Sequence, residues 1–180
     1  MKKKTTILIA VSLAVILLSS LYFVGTATAA KGGTDRPFKA TLTGTARWEF
    51  PGETPAGCSE VTTITEATGQ ATHMGKIEAV WYHCPAEPEI LIDGKLTLIG
   101  ANGDELYGIY DYDPMSESNE FPITLNGGTG KFADASGTVI GTFDVVAQFI
   151  PGCTDPDPFN CLDVSIPWPW SATLTGTISY

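Results

Sequence analysis

Basic side chains are scarce in this 180-residue chain: 10 Lys and Arg stand against 20 Asp and Glu, and histidine occurs only twice. Three of the lysines fall within the first four residues, so the remainder carries seven cations against twenty carboxylates, a net charge of −13. Such a surface repels phosphate backbones and argues against nucleic-acid binding. Common catalytic signatures are missing too: there is no G-x-S-x-G, no H-E-x-x-H, and no phosphate-cradling glycine loop that opens onto a helix. Without a C-x-x-C pair or a matching pair of histidines, zinc is disfavoured. Beyond residue 30 no apolar run is long enough to cross a membrane as a helix, and no i, i+3, i+4 pattern is long enough for a confident helix.

The first thirty residues read as a targeting segment. Lys2, Lys3 and Lys4 form a basic start, Ile7 to Val24 is apolar, and Ala27-Thr28-Ala29 supplies the small residues of a cleavage site after Ala29 or Ala30. An uncleaved N-terminal anchor is the alternative, because the apolar run is long; no cysteine follows it to carry a lipid. Removal leaves about 150 residues, a single domain with a flexible leader at 31–37 and a folded part at 38–180. The destination is periplasm, cell surface or medium. All four cysteines, Cys58, Cys84, Cys153 and Cys161, lie beyond the leader. An even count in an exported chain implies two disulfides, and of the three pairings Cys58 with Cys84 and Cys153 with Cys161 is expected, each closing a local loop.

What the chain has in abundance is alternation. From Phe38 to Phe50, Phe38, Ala40, Leu42, Gly44, Ala46, Trp48 and Phe50 share one face while threonines and charges share the other. Further strands are predicted at 61–72, 76–83, 90–101 (interrupted at Asp93-Gly94), 104–112, 121–125, 137–149 and 168–180. Asn102-Gly103, between two apolar runs, predicts a hairpin in which both residues take positive φ. The stretch Asn126 to Thr142 holds five glycines, four of which, Gly127, Gly128, Gly130 and Gly137, lie around one reversal. The domain is therefore all-β with about eight strands. An antiparallel up-and-down barrel is favoured because Ala-Thr-Leu-Thr-Gly-Thr occurs at 40–45 and again at 172–177; pairing the first and last strands would remove both sheet edges. A β-sandwich is the alternative.

The turn Gly127-Gly128-Thr129-Gly130-Lys131-Phe132, with Ala135-Ser136-Gly137 behind it, resembles the turn before a late strand in the allene oxide cyclase and dirigent-like β-barrel families. It is similar as well to small exported bacterial barrel proteins of unassigned function. The resemblance implies an eight-stranded barrel, often trimeric, in families that include enzymes cyclising or steering intermediates in the lumen. No position matches their catalytic motifs, so no role is carried over from them; Gly127, Gly128, Thr129, Gly130, Phe132 and Gly137 are read as a signature of the fold.

An up-and-down order would gather the loops 51–58, 84–89, 113–120 and 151–167 at one end. These contain Glu53, Glu87, Glu89, Asp113, Glu117, Glu120, Asp155, Asp157 and Asp163 and no Lys or Arg. Lys31, Arg36, Lys39, Lys76 and Lys131 would fall near the other end. An acidic, stapled mouth suits a cationic ligand or surface partner. Asp155 with Asp157, or Asp111 with Asp113, are the Ca²⁺ candidates, though no EF-hand spacing accompanies them. For acid–base chemistry the candidates are His83, on the Trp81 face, and Tyr110 and Tyr112, on the Leu106 face. The leading expectation is a non-enzymatic exported barrel binding a small apolar or cationic ligand or a surface partner. A lumenal isomerase or cyclase is the second, and a Ca²⁺-binding extracellular module the third.

Overall fold

The structure is a computed structural model that describes residues 33–49, 62–86, 91–112 and 118–180. Eight strands follow one another: β1 (Arg36–Glu49), β2 (Thr62–Ala71), β3 (Gly75–Ala86), β4 (Leu91–Gly100), β5 (Glu105–Tyr112), β6 (Glu120–Gly128), β7 (Ser136–Val145) and β8 (Trp168–Ser179). Each runs antiparallel to its sequence neighbours, and β8 pairs with β1, so the sheet closes into an up-and-down barrel rather than a sandwich. The cleavage site, Cys58 and Asp113 lie outside the described residues, while Arg36 and Pro37, expected in a flexible leader at 31–37, already belong to β1 and pair with Ile178 and Thr177 of β8.

The hexapeptide repeat is the seam of that closure. Ala40 lies opposite Leu174, Thr41 opposite Thr173 and Leu42 opposite Ala172, so the repeat pairs antiparallel with itself. The same register sets Gly44 opposite Trp170 and Gly176 opposite Phe38. Small residues thus face large ones across the ladder, which lets an eight-stranded interior fill without collision. A Cβ added at Gly44 would stand 2.0 Å from the Glu66 carbonyl oxygen and 2.7 Å from the Ala67 Cβ.

The connections fall as the pattern implies. Residues 72–74, 101–104 and 129–135 make the short turns at one end, and the connections between β1 and β2, β3 and β4, β5 and β6, and β7 and β8 lie at the other. The short-turn end is plugged. Thr129 donates its N–H to the Glu105 carbonyl at 2.9 Å, and its hydroxyl accepts the Glu105 N–H at 2.9 Å. This pinning drops Phe132, fully buried, against the Tyr180 ring at 5.0 Å. Lys131 caps the plug by donating to the His73 carbonyl.

Several boundaries differ from the expectation. β3 continues through Cys84 and Pro85 to Ala86, because proline is tolerated near a strand end, where a missing N–H loses at most one rung. β4 is not interrupted: Asp93 and Gly94 keep register with β3 and β5 on either side. β7 stops at Val145, so Phe149 leaves the lumen face, lies 56% exposed and pairs instead with Leu162. At the Asn102-Gly103 hairpin only Gly103 takes positive φ, +83°. The Gly103 N–H donates to Gly100 O and the Gly100 N–H to Asp104 O, a longer loop in which the Asn102 side chain accepts the Asp104 N–H.

Gly44→Ala should lower the unfolding free energy by about 1 to 3 kcal/mol, since the new methyl group meets rigid backbone. Thr43→Ala, on the exposed outer face, should stay within about 0.5 kcal/mol of the parent in the same urea titration.

Candidate functional site

Alternation sends one face of every strand into the lumen, and the residues along that face are not uniform. The short-turn half holds Phe38, Ala40, Ile77, Leu98, Leu106, Leu125, Leu174 and Ile178 beneath the Phe132 plug, all buried and none with a side-chain hydrogen-bonding group. The loop-end half is aromatic. Trp81 meets Trp170 edge to face at 4.3 Å, and Trp48 meets Trp168 at 4.2 Å. Tyr110 packs on Phe121 at 4.7 Å, and Phe121 on Phe143 at 5.6 Å. Trp168 is tied to the long β7–β8 connection by donating its indole N–H to the Asp163 carbonyl at 2.7 Å. No lumen-facing residue described is charged.

Two of the three acid–base candidates meet within this collar. The Tyr110 hydroxyl lies 3.0 Å from Nε2 and 3.3 Å from Nδ1 of His83, a hydrogen bond whose donor is set by the imidazole tautomer. The partners sit on β3 and β5, with β4 between them, and Gly94 is the residue opposite both. A Cβ at Gly94 would stand 2.0 Å from Cζ of the Tyr110 ring. Its absence lets the phenol lie flat over β4 and reach the imidazole. The Tyr112 backbone pairs with Ile92, and its side chain lies outside the described residues.

The environment keeps the pair neutral. Burial lowers the His83 pKa to about 4, because desolvation penalises the charged imidazolium. Burial pushes the Tyr110 pKa well above its usual value for the same reason. Sequence reasoning passed over Gly94, since its role depends on which residues the register sets beside it. Trp81 is 1% exposed, and among the described residues its indole N–H has no hydrogen-bond partner.

The remaining candidates do not converge. Asp111 is exposed on the outer face of β5. The Asp155 carboxylate accepts the Asp157 N–H at 2.9 Å, a local turn contact. Among the described residues no three metal-ligating side chains come together. Cys153 and Cys161 are joined, as expected, and staple the β7–β8 connection, which exposes Val146, Phe149, Ile150, Val164 and Ile166. Of the cations placed at the short-turn end, Arg36, Lys39, Lys76 and Lys131 are there, but Asp35, Asp104 and Asp134 share it, so that end is mixed in charge.

Beside Tyr110 the barrel wall is loosely laced. The β5–β6 ladder shifts register between Leu106 and Gly108 and runs no further than Ile109 opposite Thr124. Pro122 lies beyond that point and has no N–H to offer. A concavity of about 360 Å³ lies over this stretch, lined by Gly94, Lys95, Ile109, Tyr110, Asp111, Pro122 and Thr124. A second, of about 750 Å³, lies against β1 to β4 and is lined by outward-facing Thr43, Thr68, Gln70, Lys76 and Glu78 among others.

No protein-family model matches the chain, and no curated protein matches it. Among solved structures it is similar to a pterocarpan synthase dirigent protein, with a TM-score of 0.50 and 12% identity, over 81% of this chain and 86% of that one. At that identity the likeness concerns the fold alone: the closed antiparallel β-barrel of this chain resembles the fold of that structure.

Because native His83 resists protonation, the unfolded chain binds a proton between pH 6.5 and about 4 that the folded chain does not. Stability is therefore fully present above pH 6.5 and falls as pH drops through that window, by up to about 3 kcal/mol. His83→Gln should remove this component, seen by comparing urea titrations of the two proteins at pH 7 and 4.5. Gly94→Ala should displace the Tyr110 ring, cost about 1 to 3 kcal/mol, and move the His83 ring titration upward in NMR as solvent reaches the imidazole.

Proposed function

We propose that this protein is an exported, non-catalytic barrel that binds a small uncharged apolar molecule in the loop-end half of its lumen. The observation that carries this reading is the division of the interior. One half is hydrocarbon closed by Phe132, and the other gathers Trp81, Trp168, Trp170, Tyr110, Phe121 and Phe143 with the few polar groups of the core. Aromatic walls with sparse polar groups are the usual lining of a small-molecule site. An ionic ligand would find no counter-charge among the described lumenal residues, and a buried unpaired charge is costly. A cationic ligand therefore belongs, if anywhere, to the carboxylates outside. The loosely laced wall beside Tyr110, with the concavity of about 360 Å³ over it, is where such a molecule would enter. The Cys153–Cys161 disulfide supports export, since such bonds persist in oxidising compartments.

Proton chemistry is disfavoured by the same geometry. An imidazole with a pKa of about 4 and a phenol held above its usual range are both far from the neutral range where general acids and bases work well. A second reading, in which the lumen steers or cyclises a bound intermediate, is supported by the Tyr110–His83 hydrogen bond and by the barrel shared with a dirigent protein.

Naphthalene should quench the intrinsic tryptophan fluorescence and raise the melting temperature with ligand concentration. If neither signal moves, the lumenal reading is wrong. His83→Gln should leave that affinity unchanged; a steering enzyme would instead lose product selectivity with the same substitution.

A further inference from the structure

We propose that the ribbon between β7 and β8 is a docking surface for a polypeptide partner that presents apolar side chains flanked by Lys or Arg. The surface lies outside the barrel and does not depend on the lumenal reading. Five of the seven large apolar side chains exposed among the described residues, Val146, Phe149, Ile150, Val164 and Ile166, fall on this one connection. A loose loop could turn such residues inward; this one is held in shape. The Ile150 N–H donates to Cys161 O and the Asp163 N–H to Gln148 O, both at 2.8 Å, which leaves Phe149 and Leu162 as the facing pair between them. The Cys153–Cys161 disulfide ties the ribbon on one side of that pair. On the other, the Val146 N–H donates to Pro169 O at 2.9 Å and the Trp168 indole to Asp163 O, anchoring it to β8. Phe149 is thus presented to solvent, 56% exposed, on an ordered support. Apolar side chains concentrated on one exposed segment mark an interaction site.

Charge selects the occupant. Beyond Lys131 the chain contains no Lys, Arg or His, while Asp155, Asp157 and Asp163 lie within the ribbon and Asp144 just before it. The other connections assigned to this end, 50–61, 87–90 and 113–119, contain no Lys or Arg either. Arg47, which the pairing of Ala46 with Trp168 brings to this end, is engaged by Glu49 at 2.9 Å and by Glu66 at 3.5 Å. A second copy of the chain would set carboxylates against carboxylates, and anionic lipid headgroups would be repelled in the same way. A basic amphipathic segment covers the apolar residues and meets the carboxylates together.

The probe is a short fluorescent Lys/Leu peptide ordered to have one apolar face, with a scrambled peptide of the same composition as its control. The parent protein should bind the ordered peptide more tightly than the scrambled one, and the affinity should fall as salt rises from about 50 to about 500 mM. Phe149→Ser with Val164→Ser should weaken binding about tenfold, the scale of losing an aromatic anchor. Both side chains are exposed, so the variant should keep the parent's melting temperature and its naphthalene quenching. In the parent protein, amide resonances of 146–166 should shift on adding the ordered peptide. No binding, equal binding of the scrambled peptide, or an unchanged affinity in the variant would overturn the proposal and leave lumenal binding standing. So would parent self-association in sedimentation, or attachment to phosphatidylcholine vesicles, that the variant loses, since a second copy or a membrane would then be the occupant.

Discussion

The ladder between β1 and β8 is the constraint on which the rest of the molecule depends. Eight antiparallel strands left open would present two rows of unsatisfied backbone groups, and the lumen would not exist. Closure brings every inward side chain to a common axis, where the available width is set by strand number. The self-pairing hexapeptide meets both demands at once. Its threonines face out, and its Ala and Leu alternate across the seam. Its glycines sit opposite Trp170 and Phe38, so the bulkiest residues gain room where the ladder is thinnest.

The division of the lumen follows from the unequal ends. Short turns place the Phe132 plug over the aliphatic half, so that end is sealed by its own chain. The opposite end receives the long β7–β8 connection, stapled by Cys153–Cys161 and fastened to Trp168 through Asp163. Rings rather than aliphatic chains fill that half, and rings can stack a guest as readily as one another. The polar atoms of the interior are found there too, all uncharged. Packing, protonation state and proposed function are therefore one property seen at three levels: an apolar cup whose few dipoles have no ionic partner.

Much of the architecture was legible in the chain because a strand with one buried face writes its orientation into every second residue. Phe38 to Trp48 and Trp168 to Ile178 declare their inward faces without help, and the repeated hexapeptide anticipates their pairing. Misreadings arose where local cues had two meanings. Asn102-Gly103 suits a two-residue turn, yet the Asn102 side chain caps Asp104 and supports a longer loop. Ala147 and Phe149 keep the alternation after the strand has ended, because the polypeptide there joins a separate ribbon with Leu162.

The sequence by itself determined the all-β character, the inward and outward faces of the strands and the identity of the aromatic residues, since these depend on side-chain chemistry and a period of two. Only the tertiary structure decided which of those residues meet. Tyr110 reaches His83 because Gly94 lies between them in a lateral row, and Trp81 meets Trp170 because closure brings β3 and β8 to a common lumen. Both outcomes depend on register between strands far apart in the chain, a quantity that no single strand's pattern contains.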